Sequence, residues 1–115
     1  MQYMLLIHDD PSVWAGMSEE QVNGVMGEYF AYSAAIRDEG IFVSGDALKG
    51  RDEARTVSVR DGQRLVKDGP FAETKELVGG YYVVECGTID QAIDAAARIP
   101  SARFGAIEVR PVAQM

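Results

Sequence analysis

Two segments with apolar side chains on both alternating faces constrain the fold most strongly. They span residues 2–8 and 77–85. In the first segment, one face carries Tyr3, Leu5 and Ile7 and the other carries Met4 and Leu6. A strand of this kind is covered on both sides, unlike a strand with one face in water. We therefore expect both segments to be central strands of a sheet.

Two helices are predicted from their capping patterns. Residues 18–21, Ser-Glu-Glu-Gln, form a capping box that starts a helix, and Gly40 ends it because glycine readily takes a left-handed conformation. Residues 88–91, Thr-Ile-Asp-Gln, repeat the capping pattern, and Pro100 stops the second helix. Both helices carry apolar residues at helical spacing, so each is expected to pack one face on the sheet.

The remaining strands are short. We expect one at residues 41–45, a hairpin of residues 55–60 and 63–67, and a last strand at residues 106–110. Asp61 and Gly62 between the hairpin strands favour a type I′ turn, which needs positive φ at both positions. The order is β-α-β, a hairpin, and β-α-β. It predicts an α+β fold, ferredoxin-like β-α-β-β-α-β with an added hairpin, in a single domain over residues 1–115.

Two helices can cover only one face of the predicted sheet. The other face would leave Met4, Leu6 and the matching side of residues 77–85 in water. An apolar sheet face of this size marks an interface, and a second copy of the chain is the simplest cover. We therefore expect a homodimer.

Composition excludes several functional classes. A net charge of −7 repels phosphate backbones, so no nucleic-acid partner is expected. No apolar run reaches the roughly 20 residues that span a bilayer, and no signal peptide is recognisable, so we expect no membrane association and a cytoplasmic location. With one cysteine and one histidine, the chain has no disulfide and no Cys/His metal cluster. Without a phosphate-binding loop or dinucleotide motif, no cofactor is indicated.

One segment resembles a family signature. Residues 68–76, Asp-Gly-Pro-Phe-Ala-Glu-Thr-Lys-Glu, followed by Gly79-Gly80-Tyr81, resemble the signature of the DGPF proteins of the YCII-related superfamily. Residues 4–7 and 108–112 are similar to the first strand and the ending of that family, so the resemblance covers essentially the whole chain. It implies a dimeric ferredoxin-like α/β barrel. It also implies either an activity based on a His–Asp pair in a cleft, or regulation connected with an extracytoplasmic-function sigma factor.

The His–Asp pair of the family is not reproduced residue by residue. Tyr29 stands where the family has its histidine on the first helix, and Asp38 lies near the position of the acid. The histidine of this chain is His8, at the end of the first strand. Its neutral-range chemistry suits a general base or proton shuttle, but it could equally be a hydrogen-bonded strand-end residue.

The signature segment has two readings as well. Asp68 either caps the turn made by Gly69 and Pro70, or presents a carboxylate to a pocket together with Glu73, with Lys75 as counter-charge. Gly79 and Gly80 suggest a β-bulge or a close approach by a ligand or another backbone. Tyr81 either donates a hydrogen bond into a cleft or packs in a dimer core.

Two functional hypotheses follow. The first is a small-molecule-binding protein, which could also be an acid–base enzyme with His8 and Asp68 as catalytic residues. Its cleft would be lined by His8, Tyr29, Asp68, Glu73, Lys75 and Tyr81. The second is a non-catalytic regulatory module that acts on a sigma factor or another protein. A concave pocket with His8 and an acid in hydrogen-bond reach would favour the first. A closed cleft with an exposed apolar patch would favour the second.

Overall fold

A computed structural model describes residues 1–72 and 74–114 of the chain. The helices and strands follow in the order β1 (Gln2–Asp9), α1 (Pro11–Ala15), α2 (Glu19–Asp38), β2 (Phe42–Ala47), β3 (Arg55–Arg60), β4 (Gln63–Asp68), β5 (Leu77–Glu85), α3 (Ile89–Ala97) and β6 (Ala106–Pro111). Short 3₁₀ turns lie at Arg51–Glu53 and Pro100–Arg103. Among these residues, no helix is both long and apolar enough to cross a membrane.

The strands form two antiparallel sheets in a mixed α+β structure. The main sheet has the order β2-β5-β1-β6, and β3 and β4 form a separate two-stranded sheet. The two segments with apolar side chains on both faces, β1 and β5, therefore are the central strands, as predicted. The main sheet is open, and the described part of this single chain does not close into a barrel.

Local signals account for the ends of the helices. Both predicted capping boxes form, at Ser18 before α2 and at Thr88 before α3. Gly40 follows α2 with a φ of 77°. The short helix α1 was not predicted, because five residues are too few to show a helical repeat. It is started by the Asp10 carboxylate, which accepts from the Ser12 amide, and by proline in the first turn.

The helices cover one face of the main sheet. On that face the side chains of Tyr3, Leu5 and Ile7 are buried, together with Val84 of β5 and Ile36 of α2. On the opposite face, Met4 and Leu6 are only partly buried within the single chain. This second face, called the open face below, carries the alternate residues of β1, β5 and β6. Its incomplete burial agrees with the prediction that two helices cover only one side.

The hairpin turn and the signature turn both need left-handed backbone. Asp61 and Gly62 have φ values of 51° and 75°, as the predicted type I′ turn requires. Gly69 has a φ of 94°. Its amide donates to the Ala54 carbonyl at 2.8 Å, and its carbonyl accepts from the Thr56 hydroxyl at 2.8 Å. The Asp-Gly-Pro segment is thus bonded to the base of the hairpin.

Replacing Gly69 by valine should lower the free energy of unfolding by about 1–3 kcal/mol, because a β-branched residue is strained at positive φ. No atom lies within 4 Å of an added Cβ, so the strain comes from the backbone alone. Gly50→Val is the matched control, since Gly50 has equal space and a φ of −70°. Denaturant unfolding measures both variants. Equal midpoints for the two would contradict the assignment.

Candidate functional site

A cleft of about 530 Å³ lies between α2 and the helix-covered face of the main sheet. One wall comes from residues of α2 spaced three or four apart, which therefore share a face. They are Met26, Tyr29, Phe30, Ser33 and Arg37. The floor and far wall come from β1, β5 and residues 45–50, which include the end of β2. Most of these residues are apolar, so the few polar groups in the cleft determine what it can recognise.

Asp9 is the buried acid of this cleft. It continues the alternation of Tyr3, Leu5 and Ile7, so it faces the helices and is 8% exposed. The indole Nε1 of Trp14 donates to its Oδ2 at 2.9 Å. Within the described ranges, no cationic side chain forms an ion pair with Asp9. Since a buried carboxylate is normally paired, Asp9 stands out in this cleft.

Two glycines make room for Asp9. The pairing of β1 with β5 shifts from Ile7 opposite Gly80 to His8 opposite Val78, so Gly79 is the extra residue of a bulge. A Cβ on Gly79 would lie 2.9 Å from the Asp9 Oδ1. A Cβ on Gly105 would overlap the His8 carbonyl oxygen and lie 3.2 Å from the Asp9 Cβ. The bulge, one of the two alternatives predicted from Gly79-Gly80, is confirmed. Another backbone also lies close to Gly80, where an added Cβ would be 3.0 Å from the Asp46 carbonyl oxygen.

Tyr29 supplies a hydroxyl on the helix side of the cleft. Its hydroxyl is hydrogen-bonded to the Ser101 hydroxyl, and Ser101 is fully buried. Burial raises the pKa of Tyr29, the Ser101 hydrogen bond opposes this, and the charge of Asp9 raises the pKa further. Tyr29 therefore stays protonated at neutral pH. Both Asp9 and Tyr29 line the cleft, so a ligand there can contact the two groups together.

The mouth of the cleft combines apolar and cationic side chains. Met26, Phe30 and Leu48 are exposed there, with Phe30 75% exposed. The Arg37 guanidinium lies over the Phe42 ring, 4.4 Å from its centroid. The exposed apolar side chains give an incoming ligand a hydrophobic surface to enter along.

His8 lies on the open face, away from the cleft. Strand alternation turns it opposite to Ile7 and Asp9, and its Nε2 is 2.9 Å from the Glu108 Oε1. His8 therefore does not line this cleft in the single chain, and its role as a site residue stays a prediction. An acid is within hydrogen-bond reach of His8, but the acid is Glu108 of β6.

Asp68 lies in the other sheet. Its carboxylate pairs with the Arg55 Nε at 3.2 Å, and its side chain is 90% exposed. It borders a second, shallow depression of about 430 Å³ at the base of the hairpin, and does not line the cleft. His8 and Asp68 thus have separate partners in separate sheets. Their catalytic role stays a prediction.

The other predicted site residues lie in different places relative to the cleft. The Tyr29 side chain lines the cleft, whereas Tyr81 borders the cleft but lies opposite Leu6, on the open face of the sheet. The Tyr81 hydroxyl donates to the Asp46 Oδ2 at 2.9 Å, a bond that raises the pKa of Tyr81. Lys75 is exposed and does not line the cleft. Glu73 lies outside the described residues.

Sequence reasoning missed Asp9 as a site residue, and with it the hydrogen bond that Trp14 donates to Asp9. The strand expected from the sequence ends at residue 8, because Asp-Asp-Pro at residues 9–11 is a typical turn sequence. The strand continues through Asp9, and its alternation alone would have placed an acid on the core-facing side. The hydrogen bond from Trp14 had no sequence signal, because it depends on how α1 packs over the end of β1.

Comparison with known proteins agrees with the resemblance at the family level. A model of the YCII-related domain matches residues 1–115. An uncharacterized protein of Rhizobium meliloti (strain 1021) is 35% identical over 115 residues, which cover 98% of this chain and 93% of the relative. The name of this relative assigns it no activity. The comparisons therefore establish the family, and the function has to be inferred from the geometry of the site.

Proposed function

The chain belongs to the YCII-related domain family, and we propose that it is a small-molecule-binding protein whose site is the cleft between α2 and the main sheet. The observation that carries this proposal is Asp9. Its carboxylate is buried in an otherwise largely apolar cleft and has a neutral indole as its hydrogen-bond partner. A buried acid is costly to keep unless it serves a structural or binding purpose.

The proposal includes an assembly. Two copies would pack their open faces together in a homodimer of ferredoxin-like units, which closes a barrel-like core and buries Met4 and Leu6. The Asp-Gly-Pro-Phe sequence at residues 68–71 supports assignment to the DGPF subtype. A cytoplasmic location stays a prediction.

For acid–base chemistry we favour Asp9 and Tyr29 over His8 and Asp68. The first two line one cleft, where Asp9 could accept a proton and Tyr29 could donate a hydrogen bond. His8 and Asp68 have other partners outside the cleft. His8→Gln should therefore leave ligand binding in the cleft unchanged.

Filling the cleft tests the proposed site. The neutral apolar dye N-phenyl-1-naphthylamine should bind with a rise in its fluorescence, because the cleft offers it an apolar surface. Ala47→Phe should weaken this binding at least tenfold, since Ala47 lines the cleft and pairs with Gly80 on its helix-facing side. Ala31→Phe, on the exposed side of α2, is the matched control. No dye binding, or equal binding by both variants, would contradict the proposal.

A regulatory, protein-binding function is the second candidate. One observation favours it, the exposure of apolar side chains on the β3-β4 hairpin. Val57, Val59, Leu65 and Val66 are each more than half exposed in the single chain. If a protein partner such as a sigma factor covers them, changing Val57 and Val59 to threonine should abolish its binding without altering dye binding in the cleft.

A further inference from the structure

The charge and surroundings of Asp9 restrict which class of ligand the cleft can bind. This inference rests on the proposed function. We propose that the ligand is a small amine, with a protonated nitrogen at Asp9 and an apolar body along α2. The ligand would supply a cation beside this carboxylate, where residues 1–72 and 74–114 place none in an ion pair.

The first step of the argument is the unused acceptor capacity of Asp9. A carboxylate has two oxygens that accept several hydrogen bonds, and Trp14 donates one bond to Oδ2. Among side chains within the described residues, no hydrogen-bond donor other than Trp14 contacts Asp9. An ammonium group carries three donors and a full positive charge, so it can satisfy the remaining positions with charge-assisted bonds.

The second step is the indole of Trp14. It lines the cleft as well as holding Asp9, so its ring lies where the head of a ligand would approach. A cation near an indole face is attracted by the ring electrons, and the attraction grows as water is excluded. Phe104 packs edge-on against Trp14, with ring centroids 5.6 Å apart, and this contact holds the indole in place.

The third step decides between a cation and an anion. Arg37 and Lys49 also line the cleft. The Arg37 side chain is exposed at the mouth and lies on Phe42, and the Lys49 side chain is exposed and pairs with Glu53. Water screens an exposed charge, whereas Asp9 is 8% exposed and acts over a low-dielectric path. The net charge of −7 also attracts cations to the surface and repels anions. The buried acid therefore dominates selection.

The fourth step concerns the body of the ligand. Beyond Asp9, the cleft continues along apolar side chains of α2 and the sheet, among them Ile7, Met26, Phe30 and Leu77. A small hydrophilic cation would leave these surfaces in contact with water. An amine with an aromatic or aliphatic body covers them and gains hydrophobic energy in proportion to the area removed from water.

A matched series tests the proposal. We would titrate the full chain with 2-phenylethylamine, 2-phenylethanol and 3-phenylpropanoate, which differ mainly in the charge of the head. The emission of Trp14 reports binding directly, because it is the one tryptophan of the chain. The expected result is at least tenfold tighter binding of the amine than of the alcohol, and weaker binding still of the carboxylate.

Variants assign the preference to Asp9. Asp9→Asn keeps an acceptor for the indole and should remove the preference for the amine while leaving binding of the alcohol unchanged. Gly79→Ala should also reduce the preference for the amine, because its Cβ would displace the Asp9 carboxylate. This variant replaces Asp9→Asn in the test if Asp9→Asn does not fold. Glu108→Gln removes an acid on the open face and should leave the preference intact.

The outcomes separate this inference from the proposed function. Binding of the naphthylamine dye without preference for the amine would overturn the amine assignment and leave the cleft as a ligand site. Preference for the carboxylate, or an amine preference that survives both Asp9→Asn and Gly79→Ala, would also overturn the assignment. If neither the dye nor any member of the series binds, the proposed function and the inference fail together.

Discussion

Replacing Leu6 by aspartate should convert the protein from a dimer into a monomer or an aggregate. Leu6 lies on the open face between Tyr81 of β5 and Glu108 of β6, at the centre of the surface proposed to meet a second copy. Burying each large apolar side chain of that surface is worth about 1.5–3 kcal/mol. An aspartate there would place an unpaired carboxylate in the interface, once on each side of the two-fold axis.

Light scattering at micromolar concentration measures this effect. Ile93→Asp is the control, because Ile93 is a large aliphatic residue on α3 that is 48% exposed and lies away from the open face. The control should stay dimeric. A wild-type monomer, or a Leu6→Asp variant that remains an equally stable dimer, would contradict the proposed assembly.

Gly105→Ala should lower the free energy of unfolding by about 1–3 kcal/mol or more, as overpacking a close contact does. Its Cβ would overlap the His8 carbonyl oxygen and press on Asp9, at the point where β1 begins to pair with β6. Because backbone atoms cannot rotate away, the strand end must move. Asp9 would move with it, so ligand binding in the cleft should weaken as well.

Replacing a second glycine by alanine should change the free energy of unfolding in the opposite direction. Gly27 lies within α2 and has no atom within 4 Å of an added Cβ. Gly27→Ala should therefore stabilise the protein by up to about 1 kcal/mol, since alanine has the higher helix propensity. Denaturant unfolding compares the two variants. Wild-type stability of Gly105→Ala would contradict the close approach of β1 to Gly105.

Local patterns predicted most of the fold. Side-chain alternation predicted the two central strands. Capping boxes at Ser18 and Thr88 predicted where two helices begin, and Asp61-Gly62 predicted the hairpin. These signals are local, because each depends on a few neighbouring residues. Helix α1 was not predicted, because five residues stabilised by a cap are too few to show a helical repeat.

The candidate site was predicted less completely, for a physical reason. Whether His8 and Asp68 meet depends on where the hairpin lies relative to the main sheet, and no local pattern contains that information. Tyr29 faces the sheet, because the spacing of residues along α2 fixes which of its side chains pack there. Asp9 could have been found from the alternation of β1, had the strand been extended by one residue beyond His8.

The signature segment has a clear structural role. Gly69 takes a left-handed conformation that only glycine adopts easily, and its hydrogen bonds join the segment to Ala54 and Thr56. The segment thus fixes the base of the hairpin. This accounts for its Asp-Gly-Pro sequence without requiring that Asp68 take part in ligand binding.

The central claim is that a small molecule binds between α2 and the main sheet. Backbone amide chemical shifts, recorded during titration with 2-phenylethylamine and 2-phenylethanol, test this claim most directly. The account predicts that the largest shifts occur at Tyr29, Ser33, Ala47 and Gly79, with little change at Val57 and Val66 of the hairpin. Shifts confined to the hairpin or to the open face, or none with either compound, would contradict it.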